Sequence, residues 1–154
     1  MALKVGDIVP NFTAQTTDGS FFNSTEYIGK KTIVVYFYPK DNTRVCTVQA
    51  CSFRDQYEDF KVFGAEVIGV SSDSISSHQK FAKQYRLPFI LLSDSKKQLR
   101  KLFGVSNDLL GILPGRVTYV IDSQGKIQLV FDSMSGPIHI KKALDCIKKM
   151  NENS

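Results

Sequence analysis

No apolar run in this chain of 154 residues approaches the ~20 residues that a membrane-spanning helix needs. Cysteine is scarce: Cys46, Cys51 and Cys146 are the only three. An odd count, with no secretory leader ahead of it, argues against a structural disulfide framework. Histidine is scarcer still, and neither His78 nor His139 falls at a zinc-finger interval from a cysteine. The cysteine pair is C-x4-C rather than C-x2-C, so no metal site is expected and both histidines read as structural or surface residues. The opening MALKVGDIVPNF holds neither a signal-type apolar stretch nor an Arg/Ser-rich transit segment. A cytoplasmic protein is expected, or a mature organellar form, such as a plastid one, whose address has been removed. The formal charge of +5 is spread along the chain, which favours a solvated basic surface over a nucleic-acid or membrane partner.

What remains is enough for one domain, residues 1–154, with a sizeable core and no internal repeat or linker. Segments 11–15 and 20–22 flank Thr17-Asp18-Gly19, a hairpin turn. One helical turn at residues 24–27 is followed by a buried strand over 32–38. The strand breaks at Pro39-Lys40-Asp41-Asn42, and helical spacing runs from Thr43 to about Phe60, with Val45, Val48 and Cys51 or Ser52 near its apolar face. A second buried strand covers 66–71, a helix 76–85, a short strand 89–92 and a short helix 96–103 stopped by Gly104. Residues 106–115 read as a loop. Strands over 116–121 and 126–131 join at a turn, and an amphipathic helix over 138–150 closes the chain on Ile140, Ala143, Leu144 and Ile147. Two strand–helix–strand units require parallel pairing, and the late hairpin adds antiparallel strands. The expected fold is α/β: a thioredoxin-like mixed central sheet flanked by helices, with an N-terminal β-hairpin.

Redox chemistry is the leading use of the Cys46/Cys51 pair. Cys46 lies where a strand ends and a helix begins, where free backbone N–H groups and the helix dipole favour thiolate, the reactive form. Thr43 can cap the helix, or its hydroxyl can approach the sulfur and a bound oxygen. Arg116, after Pro114-Gly115, is either an ordinary exposed strand-end arginine or, in a thioredoxin-like sheet, a cation beside Cys46.

The run Tyr38-Pro39-Lys40-Asp41-Asn42-Thr43-x-x-Cys46-Thr47-x-Gln49-Ala50-Cys51-Ser52-Phe53-Arg54-Asp55 resembles the peroxiredoxins of the Q type, also called bacterioferritin comigratory proteins. The later segments EVIGVSSDSISSHQKFAKQYRLPFILLSD and LPGRVTYVIDSQGKI resemble the matching parts of that family, so the likeness runs over nearly the whole chain. It implies thiol-dependent reduction of hydroperoxides without metal, haem or flavin. It also implies that Cys46 is the peroxidatic cysteine, that Cys51 is the resolving cysteine, and that Pro39, Thr43 and Arg116 line the peroxide pocket. Thioredoxin or a similar dithiol protein is the implied reductant, and a monomer is expected, with a weak dimer as the alternative. One departure falls inside the motif: Arg44-Val45 stands where the family usually has Pro-Gly.

Two residues five apart on an ideal helix have Cα atoms roughly 8–9 Å apart, whereas a disulfide needs less than about 7 Å. Closing a Cys46–Cys51 bond therefore requires the first turns of the helix to unwind. Cys146, near the apolar face of the closing helix, reads as a buried inert thiol, with a second resolving role as the alternative. A protein thiol–disulfide oxidoreductase is the main rival, disfavoured by C-x4-C spacing. A non-catalytic binding module is the other.

Overall fold

The computed structural model describes residues 2–105, 107–108 and 113–152. Strands β1 (Thr13–Thr16) and β2 (Phe21–Asn23) form the N-terminal hairpin, followed by one 3-10 turn, Ser24–Glu26. Then come β3 (Thr32–Phe37), helix α1 (Arg44–Asp55), helix α2 (Tyr57–Val62), β4 (Ala65–Ser71), α3 (Ile75–Tyr85), β5 (Ile90–Ser93) and α4 (Gln98–Phe103). After them lie the short strands β6 (Asn107–Asp108) and β7 (Leu113–Pro114), then β8 (Val117–Ile121), β9 (Ile127–Asp132) and α5 (Gly136–Glu152). Among the described residues no helix is long and apolar enough to cross a membrane.

The central sheet runs β2-β1-β5-β4-β3-β8-β9. β3 pairs parallel with β4, and β4 with β5, while β8 runs antiparallel to β3. This is the expected mixed, thioredoxin-like sheet. The inner strand β3, between β4 and β8, is buried on both faces, which is why it reads as an unbroken apolar run. Alternation sends Val34, Tyr36 and Tyr38 into a core layer with α1, α2, α3 and α5. Ile33, Val35 and Phe37 face a second layer with α4 and the N-terminal segment. Cys46 belongs to the first layer.

Three expectations are corrected. The helix over 43–60 is two helices: Gln56 leaves helical geometry (φ −109°, ψ 11°), and beyond this bend Phe60 packs 5.7 Å from Phe53. The buried face of α1 is Cys46, Gln49, Ala50 and Phe53, whereas Val45 and Val48 are 39% and 44% exposed. A buried polar residue, Gln49, interrupts the hydrophobic pattern, so a reading by hydropathy chose the neighbouring stripe. The stretch 106–115, expected as loop, contains the β6–β7 ladder, with Asn107 opposite Pro114 and Asp108 opposite Leu113. Ser106 and residues 109–112 of that expected loop lie outside the described residues.

α5 presses against α1 at Gly136, where a Cβ would lie 3.0 Å from the Val45 carbonyl oxygen and 3.1 Å from Gln49 Cβ. It also buries His139, whose Nε2–H donates to the Ser133 carbonyl (2.7 Å) while Nδ1 accepts from the Thr118 hydroxyl (2.7 Å). Both bonds suit the neutral ring. Burial, aided by the nearby Arg116 cation, lowers the His139 pKa to about 4.

Two outcomes follow from this packing. Gly136→Ala sets a Cβ against the Val45 backbone carbonyl and Gln49 Cβ, which must give by a few tenths of an ångström, and should cost about 1–3 kcal/mol in urea denaturation. For His139, an unfolded imidazole binds its proton below about 6.5, and the folded one only below about 4. Between these values the unfolded chain holds the extra proton, so this stabilisation is complete above the upper value and is lost as pH falls to the lower. His139→Gln should therefore flatten the decline of the urea midpoint between pH 7 and pH 4.5 relative to wild type.

Candidate active site

β3 ends at Phe37, and Tyr38-Pro39-Lys40-Asp41-Asn42-Thr43 carries the chain into α1. Asp41 anchors this loop. One carboxylate oxygen accepts from the Tyr38 hydroxyl (2.6 Å), the other from the Ser77 hydroxyl (2.8 Å) and His78 Nδ1 (2.7 Å), and its backbone N–H donates to Asp73 (2.8 Å). His78 is fully buried, and its Nε2–H donates to the Leu92 carbonyl at 3.0 Å. The sequence spacing placed no ligand set around His78. In the fold, ligand atoms of Asp41, Asp73 and His78 come within 4.8 Å of one another. Those of Asp41 and His78 are taken up by protein hydrogen bonds. Asn42 then adopts a left-handed conformation (φ 60°), which asparagine tolerates, and the helix begins.

Thr43 stands at the N-cap position of α1, but its side chain makes no capping bond. Its hydroxyl donates instead to the Lys40 carbonyl at 2.9 Å, closing the loop and leaving its lone pairs available. Cys46 is 1% exposed. Arg116 is 2% exposed, so it is not the exposed strand-end residue of the simpler reading. Its Nη2–H donates to Cys46 Sγ at 3.3 Å, and its Nη1–H donates to Gln49 Oε1. The fold thus joins Cys46 to Arg116 across 70 residues of sequence. Gln49, three residues beyond Cys46 on the same helix face, is a site residue that motif and spacing alone do not mark. It orients the guanidinium, and a buried amide inside an otherwise apolar helix face was the signal available for finding it.

A pocket of about 440 Å³ opens beside Arg116, lined by Pro39, Lys40, Thr43, Arg44, Val45, Arg116 and Met134. Arg116 therefore touches both the sulfur and the pocket. Pro39 and Thr43 line the pocket with it, so the structure brings together four of the five expected site residues. Arg44 and Val45, the departure from the family pattern, form part of the wall. A cationic donor at a sulfur, beside a largely apolar recess, can stabilise negative charge on that sulfur and on an oxygen that approaches it.

Cys51, the fifth, sits half-buried on the same continuous helix as Cys46, and all three cysteines are free thiols. The helical rise keeps the pair beyond bonding distance in this conformation. Cys146 is half-buried in α5, burial pushes its thiol pKa up, and its Sγ lies 3.9 Å from Met150 Sδ. Those are features of an inert thiol.

Comparison with known proteins gives a consistent picture. The model of the AhpC/TSA family matches residues 5–130. The chain is 52% identical over 140 residues to "Peroxiredoxin Q, chloroplastic" of Gentiana triflora, covering 90% of this chain and 64% of that protein's length. Among solved structures, the peroxidoxin BcpB of Mycobacterium tuberculosis superposes with a TM-score of 0.88 at 34% identity, covering 96% of this chain and 97% of its own. The Xanthomonas campestris bacterioferritin comigratory protein, described for its alkyl peroxide reduction activity, gives 0.83 at 26% identity over 90% and 91% of the two chains. The chain belongs to the AhpC/TSA family and, within it, to the peroxiredoxins of the Q type.

Proposed function

We propose that this chain is a thiol-dependent peroxidase that reduces hydrogen peroxide and organic hydroperoxides, with Cys46 as the reacting thiol. One observation carries the assignment: a buried guanidinium donates to Cys46 Sγ at 3.3 Å and also lines the pocket beside it. In the first step the Cys46 thiolate attacks one peroxide oxygen. An S–O bond forms, the O–O bond breaks, and the distal oxygen leaves with a proton as water or an alcohol. Charge moves from sulfur to the leaving oxygen, and a donor fixed beside both positions lowers the barrier. Arg116 holds that place, Thr43 offers its hydroxyl oxygen, and Pro39 shapes the wall. The largely apolar lining suits an alkyl group, and the alkyl peroxide activity of the Xanthomonas relative supports organic substrates.

The product is a sulfenic acid on Cys46. Cys51 then attacks that sulfur, an S–S bond forms and water leaves. This step needs α1 to open, because an intact helix holds the two Cα atoms roughly 8–9 Å apart. An external dithiol, of thioredoxin type, returns the disulfide to two thiols. The chain so serves antioxidant defence and cell redox homeostasis. The chloroplastic designation of the Gentiana relative supports the organellar alternative over the cytoplasm.

Cys46→Ser should abolish peroxide consumption. Cys51→Ser should allow one turnover per chain and then depend on small thiols. Mass spectrometry after one equivalent of peroxide should find the first oxygen on Cys46, followed by a Cys46–Cys51 bond. First oxidation at Cys51 or Cys146 would overturn the assignment. Hydrogen exchange of the oxidised protein should show the amides of residues 44–52 exchanging at least tenfold faster than in the reduced one. Unchanged protection in a chain carrying the disulfide would refute the unwinding step.

A further inference from the structure

A second buried arginine stands behind the site and takes no part in the chemistry above. Arg100, on the short helix α4, is 5% exposed. The Asp94 carboxylate accepts from the backbone N–H groups of Leu99 (2.9 Å) and Arg100 (3.0 Å), which fixes the start of this helix. From there the Arg100 guanidinium reaches in two directions. Nη2–H donates to the Tyr38 carbonyl at 3.0 Å, and Nη1–H donates to the Gly115 carbonyl at 3.2 Å. Its carbon lies 5.7 Å from the centre of the Phe37 ring, a cation–π contact. Among the described residues no carboxylate lies within ion-pair distance of it.

Those two carbonyls are not arbitrary. Tyr38 opens the loop that leads to Cys46, and Gly115 directly precedes Arg116. The two backbone segments come from different parts of the chain, and the ladder that pairs them, β3 with β8, reaches only Phe37 opposite Val117. Beyond that rung the strand pairing ends, and the fork of Arg100 ties the two segments together. A planar guanidinium holds two acceptors in fixed relation, which an ammonium cannot do. A buried cation without a counter-ion is costly, and burial weakens its hold on the proton while the nearby Cys46 and Asp94 oppose that effect. The positions of the two carbonyls and of the Phe37 ring offset part of this cost.

We propose that Arg100 is a positioning residue: by bracing the Tyr38 and Gly115 backbones it sets the contact between Arg116 and Cys46. The proposal rests on the peroxidase reading for its role in turnover, but the contact itself can be tested without peroxide. Arg100→Met removes both bonds, and Arg100→Lys keeps the cation but can satisfy one carbonyl. A misplacement near 1 Å in a reacting constellation costs about 10²-fold in rate. Stopped-flow oxidation of Cys46 by hydrogen peroxide should slow about 10- to 100-fold in Arg100→Met, with Arg100→Lys between it and wild type. The pH profile of Cys46 alkylation by iodoacetamide should move to higher pH in the same order. Ile127→Ala, a cavity outside the layer that holds Cys46 and opposite Ile121, at the far end of β8 from Arg116, supplies a destabilised control with an unmoved profile and rate. If the Arg100 variants are folded and behave like Ile127→Ala, losing thermal stability alone, Arg100 is merely structural and the proposal is overturned. Should Arg100→Met not fold, Arg100→Lys decides. A wild type that consumes no peroxide would defeat the peroxidase reading, while the alkylation profiles would still judge Arg100.

Discussion

The structure turns on a guanidinium kept out of water against a sulfur. Arg116 is 2% exposed, and a cation in that state is tolerable only when its donors find acceptors. Two of them do, at Cys46 Sγ and Gln49 Oε1, both on the buried face of α1. The position of α1 over the sheet is thereby tied to the start of β8. α5 presses on the same turn through Gly136, where side-chain-free backbone allows the Val45 carbonyl to approach closely. The half of the molecule around the site is thus arranged to present one polar contact inside a layer otherwise built of aromatic and aliphatic side chains.

That arrangement carries a tension. In the proposed cycle, the helix that holds Cys46 against Arg116 also separates it from Cys51, so a site organised for the first chemical step is unsuited to the second. The loop before the helix suggests how the conflict is contained. Asp41 is held by Tyr38, Ser77, His78 and Asp73, partners drawn from β3's end, the β4–α3 connection and α3 itself. Asn42, next to it, is left-handed, and Thr43 returns a hydrogen bond to Lys40. The firm anchor therefore lies just before the segment that the proposed disulfide step would open. Arg44 and Val45, which stand in place of the Pro-Gly that the motif resemblance implies, start that segment as ordinary helical residues. Without the proline, no ring presets the first turn, and Val45 has moved onto the pocket wall rather than into the core.

Local patterns were legible where one physical signal dominated. The doubly buried β3, the amphipathic α5 and the hairpin turn at Gly19 (φ 84°) each follow from hydropathy or from backbone freedom. Patterns failed where polar residues were buried. Gln49 hid the true inner face of α1. Of the two roles open to His78 and His139, structural or surface, the fold gives both the structural one, fully buried and hydrogen-bonded. The bend at Gln56 has no proline or glycine to announce it, since it arises from packing Phe53 and Phe60 into one layer.

By itself the sequence determined the order of elements, the placement of a cysteine at a strand-to-helix junction, and the family motif around it. These are set by residues near one another in the chain, through turn chemistry, periodicity and spacing. Only the tertiary structure decided that Arg116 is buried rather than exposed and meets Cys46 at 3.3 Å, and that Arg100 reaches across to both flanking backbones. The reason is that a buried charge is placed by the acceptors that surround it. Those acceptors come from the loop after β3, from α1 and from the approach to β8, segments that neither spacing nor hydropathy relates before the sheet has formed.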